Sequence, residues 1–307
     1  MSHPILRVIQ AGPLAQLQDA GRFGVRHLGL TQGGPMDLES WALANQLVDN
    51  AWGCAVLEIT VGGLILECLE DVDCAITGAD LGATVDKSPI PLWQSFSLKK
   101  AQRLAFGSPK QGLRVYLAVK GGFDAPRFLK SCASVQREQL GGHKGDGSRL
   151  SREDVLFAST LFKSASEHKK TQPRAFGQIT DLDLIPGAQV HLFSGSSLFQ
   201  AFNQVWTVDL RADRMGIRLT GNPLQVKLPS LISEGIGLGA VQIPPDGCPI
   251  VLLNDRQTIG GYPKLGSLTP LACARLAQVQ PGQSVRFRAC GQIAASEAYA
   301  QFLSRFK

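Results

Sequence analysis

Residues 254–266 read NDRQTIGGYPKLG. Asn254, Asp255, Arg256, Gln257 and Thr258 place two charges and three neutral hydrogen-bonding side chains in consecutive positions, and Gly260, Gly261, Tyr262 and Lys264 follow. The apolar run PIVLLN leads directly into them. These residue types suit a small anion or amide. Arginine forks take carboxylate or phosphate, and glycines let a ligand oxygen reach backbone N–H groups. Two further clusters mix glycine with fixed charge: Asp19, Arg22, Gly33, Gly34 and Asp37, and then Asp213, Arg214 and Arg218. Any one cluster has an ordinary explanation, since Asp–Arg pairs hold loops and double glycines make bulges. Three in one chain make them the candidate site residues.

Other chemistries lack their motifs. The sequence has no GxxxxGK[ST] phosphate loop, no HExxH and no GxSxG. GIGLGA at 235–240 is glycine-dense but wrongly spaced for a dinucleotide fingerprint, and it leads into a strand-like run; it is read as a turn or bulge. His143, in LGGHKGDGSRL, reads as a surface-loop histidine, and no zinc or iron ligand set is apparent. One internal echo links the halves: residues 22–29 and 214–221 both follow R-x-G-[V/I]-R-x-x-G, which suggests related elements.

The elements that must position these residues read as mainly β, a β-rich α+β chain. At 307 residues, with 44% hydrophobic and 18% charged residues, the chain suits two globular domains. The KSASEHKKTQPRAFG stretch, 163–177, reads as a solvated linker, giving domains 1–165 and 175–307. In the first half AVLEIT, GLILECL, CAIT, RLAF and LRVYLAV read as a β meander after one helix in PMDLESWALANQLVDN. That helix puts Leu38, Trp41, Ala44 or Asn45, and Val48 on one face, with Pro35 in its first turn or Asp37 as its cap. The second half repeats the texture, with helices expected in SSLFQAFNQV and TPLACARLAQVQPG, the latter capped by Thr269 and stopped by Gly282. The tail predicts an amphipathic helix bearing Tyr299, Phe302, Leu303 and Phe306. The net charge of +6 is scattered, which argues against nucleic acid and membrane as partners. Seven cysteines without a CxxC pair read as reduced thiols, and the N-terminal stretch lacks signal-peptide character, so the cytoplasm is expected.

Taken in order, QDAGRFGVRHLGLTQGGPMD, ALANQLVDN, LEIT, YLAVKGGFD, ADRMGIRLTG, SEGIGLGAVQIPPDGCPIVLLNDRQTIGGYPKLG and LAQVQPG resemble the C-subunit family of bacterial ATP-dependent 5-oxoprolinase. The wider family includes KipI antagonists and the allophanate hydrolase subunit 2 part of the urea carboxylase carboxyltransferase region. The resemblance implies two β-rich domains, one a cyclophilin-like β-barrel. It also implies two partners, a KipI-like B subunit and an A subunit. The activity it implies is ATP-dependent opening of 5-oxo-L-proline to L-glutamate, with ATP and Mg²⁺ acting at the level of the complex and this chain inactive alone. The alternatives within the family are a carboxyltransferase component of a biotin-dependent carboxylase and a non-catalytic antagonist of a KipI-like kinase inhibitor.

On that resemblance, Asp255, Lys264 and Arg214 are the expected catalytic residues. Arg214 and Arg218 would hold a carboxylate or phosphate, and Gly260 and Gly261 would offer N–H groups to an oxyanion. Asp255 would orient a nucleophile or ligate Mg²⁺ through water. Gln257, Thr258, Tyr262 and Lys264 would line the pocket, while Asp19, Arg22 and Asp37 would serve behind it or face a partner. The chain departs from the family pattern at Lys130, where glycine is expected, and at Arg211, where small polar residues are commoner.

Overall fold

The computed structural model describes residues 2–160, 168–175, 179–227 and 231–306. The chain forms two compact units: Met1–Gly24, Gly33–Ala175 and Phe306–Lys307 make the first, Val25–Gln32 and Phe176–Arg305 the second. It is mostly β, as the sequence predicts, with four α-helices among the described residues. No helix among them is long and apolar enough to cross a membrane.

The first unit holds two antiparallel sheets. In the five-stranded one the order is Leu14–Gln18, Val56–Thr60, Gln111–Val119, Val72–Asp80, Gln94–Leu98. The seven-stranded one runs Phe123–Asp124, Val155–Ala158, His3–Gln10, Ile65–Cys68, Arg103–Ala105, Thr84–Val85, Ser88–Pro89. Ile5, Leu6 and Leu66 from one sheet and Leu17, Leu57, Ile76 and Leu117 from the other share one fully buried cluster. The expected meander is therefore corrected. Val56–Thr60 and Ile65–Cys68, consecutive in the chain, lie in different sheets. Alternation of apolar residues marks which face of a strand is buried but not which strand it pairs with.

Helix α1 (Leu38–Leu47) packs on Val72–Asp80 and Gln111–Val119. Asp37 is its N-cap, accepting from Ser40 N at 3.1 Å, and Trp41, Ala44, Asn45 and Val48 are buried as its periodicity predicts. Trp41 meets Trp52 edge-on at 4.9 Å.

Much of the expected linker, 163–177, lies outside the described residues. Its described part is largely exposed, as expected, but is tied down at a few points. Thr171 N donates to Trp93 O at 2.9 Å, Ser95 N donates to Lys169 O at 2.8 Å, and Arg174 reaches Asp37 at 3.2 Å. An edge strand leaves backbone groups unpaired, and this polar segment satisfies them. His143 is corrected as well: its side chain is only 5% exposed, with Nε2 2.8 Å from Asp154 Oδ2. Lys130 (φ 68°) and its neighbour Leu129 (φ 50°) are left-handed, which is the backbone reason glycine suits that turn.

The second unit is a closed seven-stranded barrel in the order Ile179–Pro186, Lys264–Leu268, Ala240–Gln242, Ile250–Leu252, Gly216–Thr220, Trp206–Ala212, Ser284–Ala289. Parallel pairing of the first and last strands closes it; the other pairs are antiparallel. Trp206 and Phe287 fill its core with ring centroids 6.1 Å apart. Gly266 lets strand Lys264–Leu268 cross Ile179–Pro186: a Cβ there would lie 2.2 Å from Ile185 O. Helices α2 (Gly195–Asn203) and α3 (Pro270–Leu276) are capped by Ser194 and, as expected, Thr269. Helix α3 stops at Leu276, earlier than predicted, and Gly282 (φ 84°) instead forms the turn into Ser284–Ala289. In α4 (Gln292–Leu303), Tyr299 stacks on buried Phe302 at 6.1 Å.

Candidate functional site

The NDRQTIGGYPKLG motif follows barrel strand Ile250–Leu252 and returns through Lys264–Leu268. Between them it forms a small antiparallel ribbon, Glu234–Gly235 against Ile259–Gly260. The GIGLGA stretch is the other side of this ribbon and then the turn into Ala240–Gln242. Gly239 (φ 77°) makes that turn, and a Cβ on it would meet Leu268 O at 2.5 Å.

At the root of the motif, Asp255 and Arg214 form a buried bidentate pair, Nε to Oδ2 at 2.8 Å and Nη2 to Oδ1 at 2.9 Å. Asp255 N also donates to Arg214 O at 2.9 Å, so backbone and side chains tie the same two loops. Both Asp255 oxygens thus accept from one guanidinium, which makes the residue a tie between two loops. Arg214 has its fork filled by that same carboxylate. Among the described residues no three His, Cys, Asp or Glu side chains stand together as a metal site. Arg218 is likewise paired, with Asp246 on the turn before Ile250–Leu252.

The ribbon has a different character. Thr258 O accepts from Ile236 N at 2.9 Å and from Arg26 Nη2 at 3.0 Å. Arg256, 4% exposed, donates from Nε to Ile236 O at 3.1 Å and from Nη1 to Leu253 O at 3.0 Å. Its pKa is pulled down to about 10, first by burial and then by the like charge of Arg26. Gly260 is a ribbon residue opposite Glu234, and a Cβ on it would lie 2.9 Å from the buried amide nitrogen of Gln242. Gln257 and Thr258 are half-buried, whereas Gly261 and Tyr262 are exposed.

Lys264 opens onto a cleft of about 190 Å³ also lined by Gln189, Glu234, Gly237 and Ser267. Its Nζ lies 3.0 Å from Glu234 Oε1, and its backbone N donates to Gln189 Oε1 at 2.7 Å. Gln189 Nε2 returns to Glu234 Oε1, closing a ring of three residues. The cleft is below the roughly 300–1,000 Å³ typical of drug-sized pockets and in scale with a small metabolite.

The remaining expected residues lie in the first unit and anchor loops there. Asp19 accepts from Ser131 Oγ at 2.6 Å, Cys132 N at 2.8 Å and Gly21 N at 2.9 Å. Arg22, buried, donates to Ala133 O at 2.7 Å. Asp37, beyond capping α1, has its backbone N–H on Tyr116 OH at 2.7 Å, and that hydroxyl donates to Glu58 at 2.8 Å. The internal echo therefore does not repeat a function: Arg22 binds carbonyls, while its counterpart Arg214 binds a carboxylate.

The motifs by themselves assign no role to Arg26, Arg256, Gln189, Glu234 or Gln242. Arg26 is signalled by the echo and Arg256 by its place in the polar run. Gln189, Glu234 and Gln242 carry no spacing signal, because strand pairing and a 3₁₀ turn at Ala188–Leu192 bring them in.

Comparison with known proteins gives this geometry its relatives. The chain is similar to the C subunit of Haemophilus influenzae 5-oxoprolinase, 32% identical over 93% of this chain and 91% of that protein. It is similar to the C subunit of Escherichia coli 5-oxoprolinase, 34% identical over the same shares. Its fold superposes on the crystal structure of the Kluyveromyces lactis urea carboxylase with a TM-score of 0.89 at 24% identity, covering 100% of this chain and 29% of that one. Residues 28–289 match the family described as carboxyltransferase domain, subdomain A and B, and the chain belongs to that family.

Proposed function

We propose that this chain is the C subunit of an ATP-dependent 5-oxoprolinase, working in the cytoplasm with a KipI-like B subunit and an A subunit. The observation that carries the reading is likeness almost from end to end, 32–34% identity over 93% of the chain, to two proteins of that name. The reaction has a clear physical demand. An unstrained lactam is a poor electrophile, so transfer of the ATP γ-phosphoryl group to its carbonyl oxygen would create a leaving group. Water then adds at that carbon and the C–N bond breaks, freeing the amine and leaving an acyl phosphate; a second water cleaves that acyl phosphate to glutamate and phosphate. Such a site needs fixed donors for carboxylate and phosphoryl oxygens. The cleft at Lys264, with Gln189 and Glu234 beside it, supplies an ammonium, an amide and a carboxylate on barrel strands and their flanking turns. In this reading Thr258, Gln257 and Tyr262 border the substrate and Lys264 faces it.

The test is release of glutamate and ADP from 5-oxoproline by this chain with and without its A and B partners. Turnover that requires all three supports the reading, whereas a stable B–C complex that never supports turnover sinks it. The family description favours a second reading, carboxyl transfer in a biotin-dependent carboxylase. A carboxylated product that depends on a biotinylated partner would establish that one instead.

A further inference from the structure

We propose that Arg26 and Arg256 together form a binding site for a small oxyanion, a carboxylate or phosphate group, at the root of the ribbon Glu234–Gly235/Ile259–Gly260. Ile236 and Thr258 face each other across the ribbon, joined by Ile236 N donating to Thr258 O at 2.9 Å. Arg256 hangs on Ile236 O and Leu253 O, and Arg26 on Thr258 O. Both guanidiniums are thus oriented by carbonyls on neighbouring positions of one small element. Carbonyl oxygens fix direction but neutralise no charge.

The contrast with six other arginines of this unit is what points to a ligand. Arg211, Arg214, Arg218, Arg275, Arg286 and Arg288 each have a carboxylate within ion-pairing reach. Among the described residues, Arg26 and Arg256 have none in direct contact; Asp255, next in the chain, acts on Arg256 only through space, its oxygens being held by Arg214. Burying a guanidinium beside a second one is unfavourable unless an anion joins them. A third polar group lies along the same ribbon. Gln242 is 2% exposed, its Nε2 has no acceptor among the described residues, and it lies against Gly260 of the same ribbon. An oxyanion supplies the acceptors and the charge that this cluster lacks.

Which oxyanion it is rests on the 5-oxoprolinase reading, under which the candidates are the carboxylate of 5-oxoproline and a phosphoryl group of ATP; the site itself follows from the geometry. The test uses the full chain and two probes, 5-oxoproline and inorganic phosphate, titrated separately by calorimetry. Arg26 is half-buried and bonds one carbonyl, so Arg26→Gln keeps the fold; Arg256→Lys keeps the charge but loses the fork. Each variant is expected to weaken binding about tenfold, the loss of one charge-assisted contact. Binding of 5-oxoproline alone assigns the carboxylate, binding of phosphate alone assigns the phosphoryl group, and either supports the site. Failure of both probes to bind the wild-type chain, or binding by both variants equal to the wild type, overturns it. The measurement needs neither partner subunits nor turnover. Intact binding with no glutamate release from the complex assembled with its A and B partners would therefore refute the activity and leave the site standing.

Discussion

Replacing Asp255 with alanine separates a chemical role from an architectural one. Both carboxylate oxygens accept from Arg214, at 2.8 and 2.9 Å, and the two side chains are only 10% and 6% exposed. Removing one partner of such a pair strands a buried charge, which costs about 3–5 kcal/mol. With urea slopes of about 1–3 kcal/mol/M, the midpoint of the second unit falls by roughly 1–5 M. Replacing both partners with apolar residues of similar volume, Arg214→Met with Asp255→Leu, recovers most of the loss, because no charge is left unpaired. The assay is urea unfolding followed by tryptophan fluorescence, with Trp206 reporting from the barrel core. If Asp255→Ala unfolds within about 1 kcal/mol of the wild type, the pair is not the clamp that its geometry describes. If that variant is fully stable and yet abolishes glutamate release in the assembled complex, the carboxylate acts on the reaction.

Other positions give independent checks. Gly266→Ala places a methyl 2.2 Å from Ile185 O, so one barrel strand must shift; a loss of about 1–3 kcal/mol is expected, read as a fall in the thermal midpoint. Lys130→Gly relieves a left-handed residue at φ 68° and is expected to stabilise the first unit by about 0.5–1 kcal/mol in the same assay. His143 has its pKa lowered by burial, against the opposing pull of Asp154. The unfolded chain therefore binds this proton first, and stability is lost as pH falls from about 6.5 through the lower folded value. A urea midpoint that drops between neutral and mildly acidic pH in the wild type, but drops less in His143→Gln, is the expected pattern.

Local elements could be read from the chain alone. The helix with Asp37 as its N-cap, the Thr269 cap of α3 and the hydrophobic faces bearing Trp41 and Phe302 were all legible, because capping and 3.6-residue periodicity act between near neighbours. The motif 254–266 was also visible as a place of dense polarity, and the ordered motifs marked the family. Which partner each of those polar groups takes was settled by the fold. Nothing within residues 254–258 says that Asp255 closes on Arg214 while Arg256, its immediate neighbour, takes only carbonyls. Arg214 lies 41 residues from Asp255 and Ile236 lies 20 from Arg256, and barrel pairing and the ribbon bring them together. Arg26 is more distant still: 232 residues separate it from the carbonyl it binds, and it joins the barrel unit although Arg22 belongs to the first. Residue type sets which charges a chain carries, but only the closed sheet sets which of them meet an opposite charge, and hence which remain to receive a ligand.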